Sequence, residues 1–198
     1  ISLLSSSLRA QLRFEICRPY IFTHPLFRLW TAMDASSGKR ICVEAADIGY
    51  LRQQDDLFTA GTSTDKAYYV ITGALMYSQD PESSAVESEE QTEVGAETWL
   101  SEASLWSHWT HVGTAEVRTP VEVLHLSASA LASTLRRHPG IHEVALEYCK
   151  HFHRRIVSAK PPDALWPSDL QVPFTDYGDL VTSMKKEVQV SIGLSAIS

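Results

Sequence analysis

The sequence predicts an α+β fold, in which an antiparallel, jelly-roll-like β-roll of about eight strands is flanked by helices at both ends. Helical periodicity occurs near the two ends of the chain, whereas residues 40–125 contain short apolar runs rich in β-branched and aromatic residues. Glycines separate those runs, as they do in antiparallel sandwiches and barrels; they are Gly49, Gly61, Gly73, Gly95 and Gly113. The chain of 198 residues has room for one such domain with extensions.

The N-terminal part of the chain is predicted to form two helices. Serines at its start are good N-caps, and Leu8, Leu12 and Ile16 follow at helical spacing. Because proline removes a backbone donor, we expect Pro19 and Pro25 to divide this part, with a second helix around the sequence HPLFRLW.

The chain beyond the strands is predicted to form two further helices and then a tail. Ser127 is expected to cap a short helix that runs to Arg137, and a longer helix follows from Ile141 to about Val157. A proline-rich segment without regular periodicity comes next, and the last piece, Asp179 to Ile192, is interpreted as either a helix or a strand. The predicted division is therefore into N-terminal linker helices (residues 1–30), the β-roll with its C-terminal helices (31–158) and an irregular tail (159–198).

Composition narrows the functional class. The formal net charge of −7 argues against nucleic-acid binding, which needs clustered Lys and Arg. Three widely spaced cysteines, Cys17, Cys42 and Cys149, are typical of reduced thiols in a cytosolic compartment. The sequence contains no apolar run of the roughly 20 residues that span a bilayer. Because the chain begins with Ile1, we interpret it as a fragment or a processed chain, in which case a membrane span would lie outside it.

The segment 78–93 is distinctly acidic. It holds six carboxylates, has no Lys or Arg, and contains almost no apolar residue. This composition predicts a solvated loop between two strands. A calcium-binding loop is disfavoured, since the ligand spacing and the turn glycine are absent.

The sequence LFTAGTSTDKAYYVITGALMY, residues 57–77, resembles the front half of a cyclic nucleotide-binding domain. The positions that carry the resemblance are Phe58, Gly61, Asp65, Tyr68, Val70, Ile71 and Gly73. Glycine reaches turn dihedrals that other residues adopt only at a cost, so Gly61 and Gly73 are interpreted as structural residues that shape the roll.

Residues 95–117, here called the cassette, resemble the phosphate-binding part of that family. The resemblance implies that backbone N–H groups of a short helix hold the cyclic phosphate, that an arginine neutralises it, and that a glutamate binds the ribose hydroxyl. Here Ser101 stands in place of the usual glycine and His111 in place of the arginine, whereas Glu102 is kept. The implied ligand-binding residues are Ser101, Glu102, Ala103, Ser104, His111, Gly113 and Thr114. Since neutral histidine cannot form a bidentate contact with phosphate, any binding of cAMP or cGMP is expected to be weak.

The first 30 residues resemble the segment that links the last membrane helix of voltage-gated cation channels, potassium channels among them, to this domain. Leu8, Arg9, Leu12, Glu15 and the run Pro25, Leu26 and Phe27 carry this likeness. It implies a non-enzymatic regulatory domain at the cytoplasmic face of a membrane, which couples occupancy of the roll by a ligand or an intrinsic mimic to gating. Its implied partners are neighbouring subunits, with no cofactor other than the cyclic nucleotide. The alternative is a soluble, degenerate module of the same fold, cytosolic if the chain is complete, that acts as a scaffold or interaction subunit.

Histidines and tryptophans leave further alternatives. Cys149 and His153 are four residues apart on a predicted helix, but further zinc ligands are lacking. His108, His111 and His125 in a β-roll suggest a cupin-type metal enzyme. Such a site needs a close His-x-His pair with a downstream Glu within a strand, which the sequence HWTHVGTAEV does not supply. We therefore predict neither a metal site nor catalytic residues. The rings of Trp99, Trp106 and Trp109 either fill the core or form a binding surface.

Overall fold

The computed structural model describes residues 5–197 and confirms the α+β architecture with about eight strands. The helices are α1 (Ser6–Ile21), α2 (Pro25–Met33), α3 (Ala35–Arg40), α4 (Ala128–Leu135), α5 (Pro139–Ser158), α6 (Tyr177–Thr182) and α7 (Lys186–Ile197). A π-helical turn (Ile41–Ala45) precedes the strands, and a 3₁₀ helix (Glu102–Leu105) lies among them. The strands are β1 (Ala46–Leu51), β2 (Asp56–Phe58), β3 (Ser63–Thr64), β4 (Lys66–Gln79), β5 (Glu90–Val94), β6 (Trp99–Leu100), β7 (Trp109–Thr110) and β8 (Thr114–Ser127).

Strands β4 and β8, each of 14 residues, form the centre of the roll. They pair antiparallel, and the main sheet has the order β1-β8-β4-β5, with β2 added to β8 and β6 added to β4. Strands β3 and β7 form a separate two-stranded sheet. The backbone turns at Gly61 (φ 79°) and Gly73 (φ 88°), and a Cβ at Gly73 would meet the Pro120 carbonyl oxygen at 2.4 Å. Glycine is therefore required at position 73 both by its backbone dihedral and by the space around it.

Alternation along the strands divides the apolar residues between two cores. On β4, Tyr68 and Val70 face the interior of the roll, whereas Tyr69 lies in the core shared with the helices. On β8, Val123 faces the roll and Leu124 faces the helices. This follows from the two-residue period of a strand, and it places the helices on one face of the roll.

The N-terminal helices differ from the prediction at one proline. Helix α1 continues through Pro19 to Ile21, so the expectation that Pro19 ends the helix is wrong. Its last turn remains hydrogen-bonded, with Phe22 N–H donating to the Arg18 carbonyl at 3.0 Å. Helix α2 begins at Pro25 as predicted, where the missing donor costs nothing.

Helices α4 and α5 follow the sequence prediction closely. The Ser127 hydroxyl caps α4 by accepting from Ala130 N–H. In α5, Val144, Ala145, Tyr148 and Phe152 are buried along one face. The helical stripe read from the sequence is therefore the face that packs on the core.

The division that makes residues 159–198 an irregular tail is wrong for 177–197, which form α6 and α7. Of the two alternatives for 179–192, helix or strand, the structure has helix. Leu180, Met184, Val188 and Ile192 recur every four residues, and all four are buried in the helix-side core. Burial of these four residues stabilises α6 and α7, although the remaining apolar residues of α7 are not confined to one face. Residues 159–176, here called the strap, are irregular as predicted.

The acidic segment is a loop with narrower bounds than predicted. Strand β4 extends to Gln79 and β5 begins at Glu90, so the loop comprises residues 80–89. The antiparallel pairing of β4 with β5 continues to the base of this loop, where Gln79 is the partner of Glu90. The rest of the predicted segment therefore belongs to the sheet.

Candidate functional site

The cassette turns sharply before its short helix. Ser101 has a left-handed backbone (φ 55°, ψ 33°) and precedes the 3₁₀ helix 102–105. A residue with a Cβ adopts this conformation at a cost of about 1 kcal/mol. The turn also presents Ser101 N–H to the Asp169 carbonyl oxygen at 2.6 Å, which joins the cassette to the strap.

The Asp169 side chain enters the cassette from the strap and is 1% exposed. One carboxylate oxygen, Oδ1, accepts hydrogen bonds from Trp109 Nε1 at 2.7 Å, from His111 Nδ1 at 2.6 Å and from the Ser101 hydroxyl at 3.1 Å. An ionised carboxylate only accepts, so Nδ1 of His111 carries the proton in this contact. The imidazole is also stacked on the Phe58 ring, with centroids 3.8 Å apart.

The second oxygen of Asp169 is held mainly by the backbone. Oδ2 accepts from Val112 N–H at 2.9 Å, from Gly113 N–H at 3.1 Å and from the Tyr77 hydroxyl at 2.9 Å. Two consecutive N–H groups directed at one anion form a concave anion site of the nest type. The carboxylate therefore has three donors at each oxygen, and its burial is compensated.

These donors control the ionisation of Asp169. Burial by itself raises the pKa of this carboxyl, but hydrogen bonds from His111 and Trp109 and the proximity of the His111 ring outweigh it, so the net pKa is lowered. Burial and the neighbouring Asp169 charge raise the pKa of Tyr77, whose hydroxyl stays protonated as a donor. The arrangement favours an anion at this position.

A tight turn in the strap presents Asp169 to the cassette. Ser168 N–H donates to the Gln171 carbonyl at 2.8 Å, and the Ser168 hydroxyl accepts from Leu170 N–H and Gln171 N–H. On either side of this turn, Leu170 packs against the roll core and Val172 is buried in the helix-side core. The strap is therefore anchored by apolar contacts as well as by its carboxylate.

Glu102 lies in a second cluster, which connects the cassette to the helices. Its Oε1 accepts from His24 Nε2 at 3.0 Å, from Trp106 Nε1 at 3.2 Å and from the Tyr148 hydroxyl at 3.4 Å. The other nitrogen of His24 accepts from Leu26 N–H at the start of α2, so the imidazole proton resides on Nε2. Although burial raises it, the pKa of Glu102 is lowered on balance by His24.

The structure therefore divides the residues that the sequence assigned to the site. Ser101, His111 and Gly113 surround Asp169, while Glu102 is bonded to the helices. Ala103 lines a cavity of about 120 Å³ that remains between the strap and the cassette. The Ser104 hydroxyl is buried without a hydrogen-bond partner among the described residues, and Thr114 Oγ1 accepts from Ala60 N–H.

Sequence reasoning missed Asp169, Tyr77, Trp109 and His24 as parts of these clusters. Asp169 lies in a proline-rich segment without periodicity, and nothing local marks it as a buried anion. The only signal is that apolar residues flank it in WPSDLQVPF, which is unusual for a solvated tail. The tryptophans fit the core interpretation, since Trp106 and Trp109 are buried, and each also donates its indole N–H to a carboxylate.

Comparison with solved structures identifies the fold. The C-linker/CNBHD of zELK channels, crystallised in the presence of cAMP, matches with a TM-score of 0.54 and 14% identity, covering 76% of this chain and 71% of that one. The sensor domain of the transcriptional regulator DNR from Pseudomonas aeruginosa matches with a TM-score of 0.53 and 18% identity, covering 75% and 97%. The chain has a cyclic nucleotide-binding fold. A cyclic nucleotide-binding-like protein from Brucella abortus, at 22% identity over 56% of this chain and 97% of its own, has a TM-score of 0.45.

The cyclic nucleotide-binding fold was not detectable from sequence matches. No protein-family model and no curated protein sequence matches the chain. At identities of this size the solved structures establish the fold alone, since one fold serves many functions. The function must therefore be argued from the contacts of the site.

Within residues 5–197, no group of three or more His, Cys, Asp or Glu side chains is placed to hold a metal ion. In the same part of the chain, no helix combines the length and the apolar character needed to cross a bilayer.

Proposed function

We propose that this chain is a cytoplasmic regulatory domain of a voltage-gated cation channel, of the binding-homology type, whose pocket is occupied by its own strap. The observation that carries the proposal is the buried Asp169 carboxylate. It is held by Ser101, His111 and the N–H groups of Val112 and Gly113, in the part of the cassette that the resemblance assigns to a cyclic phosphate.

The carboxylate is a suitable substitute for a phosphate. Both groups are anions that accept several hydrogen bonds, and both are stabilised by converging backbone N–H groups. The cavity of about 120 Å³ left beside Asp169 is well below the roughly 300 Å³ of small ligand pockets. A cyclic nucleotide would therefore enter only if the strap moved out.

Occupancy of the pocket is coupled to the N-terminal helices by the Glu102 cluster. His24 at the start of α2 and Tyr148 on α5 bind the same carboxylate oxygen of Glu102. Trp106, two positions after Ser104 in the cassette, has its ring centroid 5.0 Å from that of Tyr148. We expect a change at the strap to shift the cassette, and through Glu102 to shift α2, which in a channel would lie toward the pore and the neighbouring subunits.

Calorimetric titration with cAMP and cGMP tests the self-occupied pocket. We expect no binding by the natural chain and weak binding by Asp169→Ala, with a dissociation constant on the order of 1 mM because His111 replaces a permanently charged group. Asp163→Ala is the matched control, since Asp163 is an exposed aspartate of the same strap. It should behave like the natural chain.

Two results would overturn the proposal. Micromolar binding by the natural chain would show that the strap does not compete with a nucleotide. Amide exchange at Val112 and Gly113 that is equally slow in Asp169→Ala and in the natural chain would show that Asp169 does not hold the pocket closed. Sequencing of the coding region upstream of Ile1 tests the channel assignment: membrane-spanning segments support it, whereas a start codon directly before Ile1 supports the scaffold alternative.

A further inference from the structure

An apolar cleft lies between the cassette and helices α4 and α5, and none of its lining residues belongs to the strap. It has a volume of about 270 Å³ and is formed by the end of the 3₁₀ helix, by α4 and by α5. Most of its lining is aliphatic or aromatic, with Trp106, Leu131, Leu135 and Ala145 as buried walls. Protein interiors are close-packed, and an engineered apolar cavity of about 150 Å³ already binds benzene. The cleft therefore has room for a larger apolar group.

Two basic side chains line the same cleft. Arg136, at the end of α4, is exposed, and His142, in the second turn of α5, is half-buried. Among residues 5–197 neither side chain has an acidic partner, whereas the adjacent Arg137 is paired with Glu44 at 3.5 Å. A free guanidinium next to an apolar pocket favours a ligand that combines a carboxylate with a hydrocarbon part.

Other occupants fit less well. The exposed apolar stripe of α1 in a second copy would carry Arg9 toward a rim that is itself basic. Like charges disfavour that contact. A nucleotide is too polar for walls that consist mainly of leucine, alanine and tryptophan.

We propose that this cleft is a binding site for an unbranched medium-chain carboxylate, with the carboxylate on Arg136 and the chain between α4 and α5. The bound chain would contact both Trp106 of the cassette and the Cys149 side of α5, which are already joined by a hydrogen bond from Cys149 Sγ to the Trp106 carbonyl at 3.2 Å. It would thereby hold α5 against the cassette. The site contains no residue of the strap, and the proposal does not rest on the channel function.

Octanoate is the probe for the test, used below its micellar concentration. Titration followed by NMR or calorimetry should show saturable one-to-one binding, with a dissociation constant below about 1 mM for a ligand of this size. Arg136→Gln should weaken octanoate binding about tenfold or more, but should leave binding of octanol unchanged. Arg137→Gln is the matched control, because Arg137 is the neighbouring arginine and does not line the cleft. It should bind octanoate like the natural chain.

One further variant and one further measurement distinguish binding in this cleft from nonspecific binding. Ala132 lines the cleft and is exposed, so Ala132→Phe should block the cleft without disturbing the core. Octanoate should also slow alkylation of Cys149, the one partly exposed cysteine of the three; Cys17 and Cys42 are buried and serve as internal references.

The proposal is wrong if the natural chain shows no saturable binding up to about 10 mM octanoate, which corresponds to negligible affinity. It is equally wrong if binding persists unchanged in both Arg136→Gln and Ala132→Phe. Unchanged alkylation of Cys149 at saturating octanoate would place the ligand elsewhere and would also overturn it.

Discussion

At the scale of single residues, the molecule depends on two carboxylates whose donors are in place, the buried Asp169 and the part-buried Glu102. Asp169 accepts six hydrogen bonds and Glu102 accepts three. A buried carboxylate without such donors would be protonated or expelled to water. Both groups instead have lowered pKa values, so each contributes to stability in its ionised form.

Docking of the strap should therefore be lost in acid. Because the pKa of Asp169 is lower in the docked strap than its ordinary value of about 3.9, docking is fully stabilised above that pH. The stabilisation declines as the pH falls below about 4 and is lost once the pH passes the docked pKa. The Trp109 indole N–H resonance reports this change. Asp169→Asn should show no such titration, and an identical titration in that variant would assign the effect to another group.

Replacing Glu102 tests the second carboxylate. Glu102→Gln keeps the size and one acceptor oxygen but removes the charge that strengthens the bond from His24. We expect urea unfolding to show a loss of about 1–2 kcal/mol. Glu143→Gln, at an exposed position of α5, should change stability by less than about 0.5 kcal/mol. Equal effects of the two substitutions would show that the Glu102 contacts contribute little.

At the scale of secondary-structure elements, a helix or strand is stabilised by the apolar face that it buries against the core. The buried residues of helix α7 are four positions apart and pack against the helix-side core. This packing stabilises a helix whose apolar residues are otherwise spread around its surface. The loop 80–89 is the opposite case. It is mostly exposed, and its only described side-chain contact with the cassette is from the Ser83 hydroxyl to the Val112 carbonyl at 3.2 Å.

Shortening the acidic loop should therefore have little effect on stability. If residues 81–88 are replaced by a short Gly-Ser turn, the β4–β5 pairing remains and the closure entropy falls slightly. Thermal unfolding should shift by no more than a few degrees, which is about 1 kcal/mol for a chain of this length. Ser83→Ala alone serves as a control for the lost contact. Failure of the shortened chain to fold would show that the loop packs against the roll.

At the scale of the whole molecule, the exposed apolar residues of α1 are available for association. Leu8, Leu12 and Ile16 lie along one face and are 57%, 40% and 45% exposed. The proposed function gives this helix a neighbouring subunit, and a contiguous apolar face is typical of such contacts.

Substitution of the exposed apolar residues of α1 tests whether this helix contacts a neighbouring subunit. We expect the triple variant Leu8→Ser, Leu12→Ser and Ile16→Ser to keep its fold but to sediment as a monomer at concentrations where the natural chain self-associates. The matched control replaces three exposed apolar residues elsewhere, namely Val157, Val190 and Leu194, by serine. Self-association that survives the α1 variant, or is abolished only by the control, would contradict a role of α1 in assembly.

The sequence by itself determined the elements whose signals are local. Glycine-bounded apolar runs located the β region, helical spacing located α4 and α5, and the prolines placed α2. The glycines at 61 and 73 marked turns, where the backbone has positive φ. The resemblance of residues 57–77 and 95–117 to a known family predicted the cyclic nucleotide-binding fold. These features depend on residues that are neighbours in the chain, so one sequence is enough to read them.

The content of the pocket was decided only by the tertiary structure. Asp169 is hydrogen-bonded to His111, 58 positions away in the sequence, and to Tyr77, 92 positions away. His24 and Glu102, which are also hydrogen-bonded, are 78 positions apart. Apart from the apolar residues that flank it, nothing near Asp169 in the sequence distinguishes it from Asp163, which is exposed six positions earlier. A carboxylate becomes a buried anion only where folding brings donors from distant segments around it, and those distances are not encoded in any local pattern.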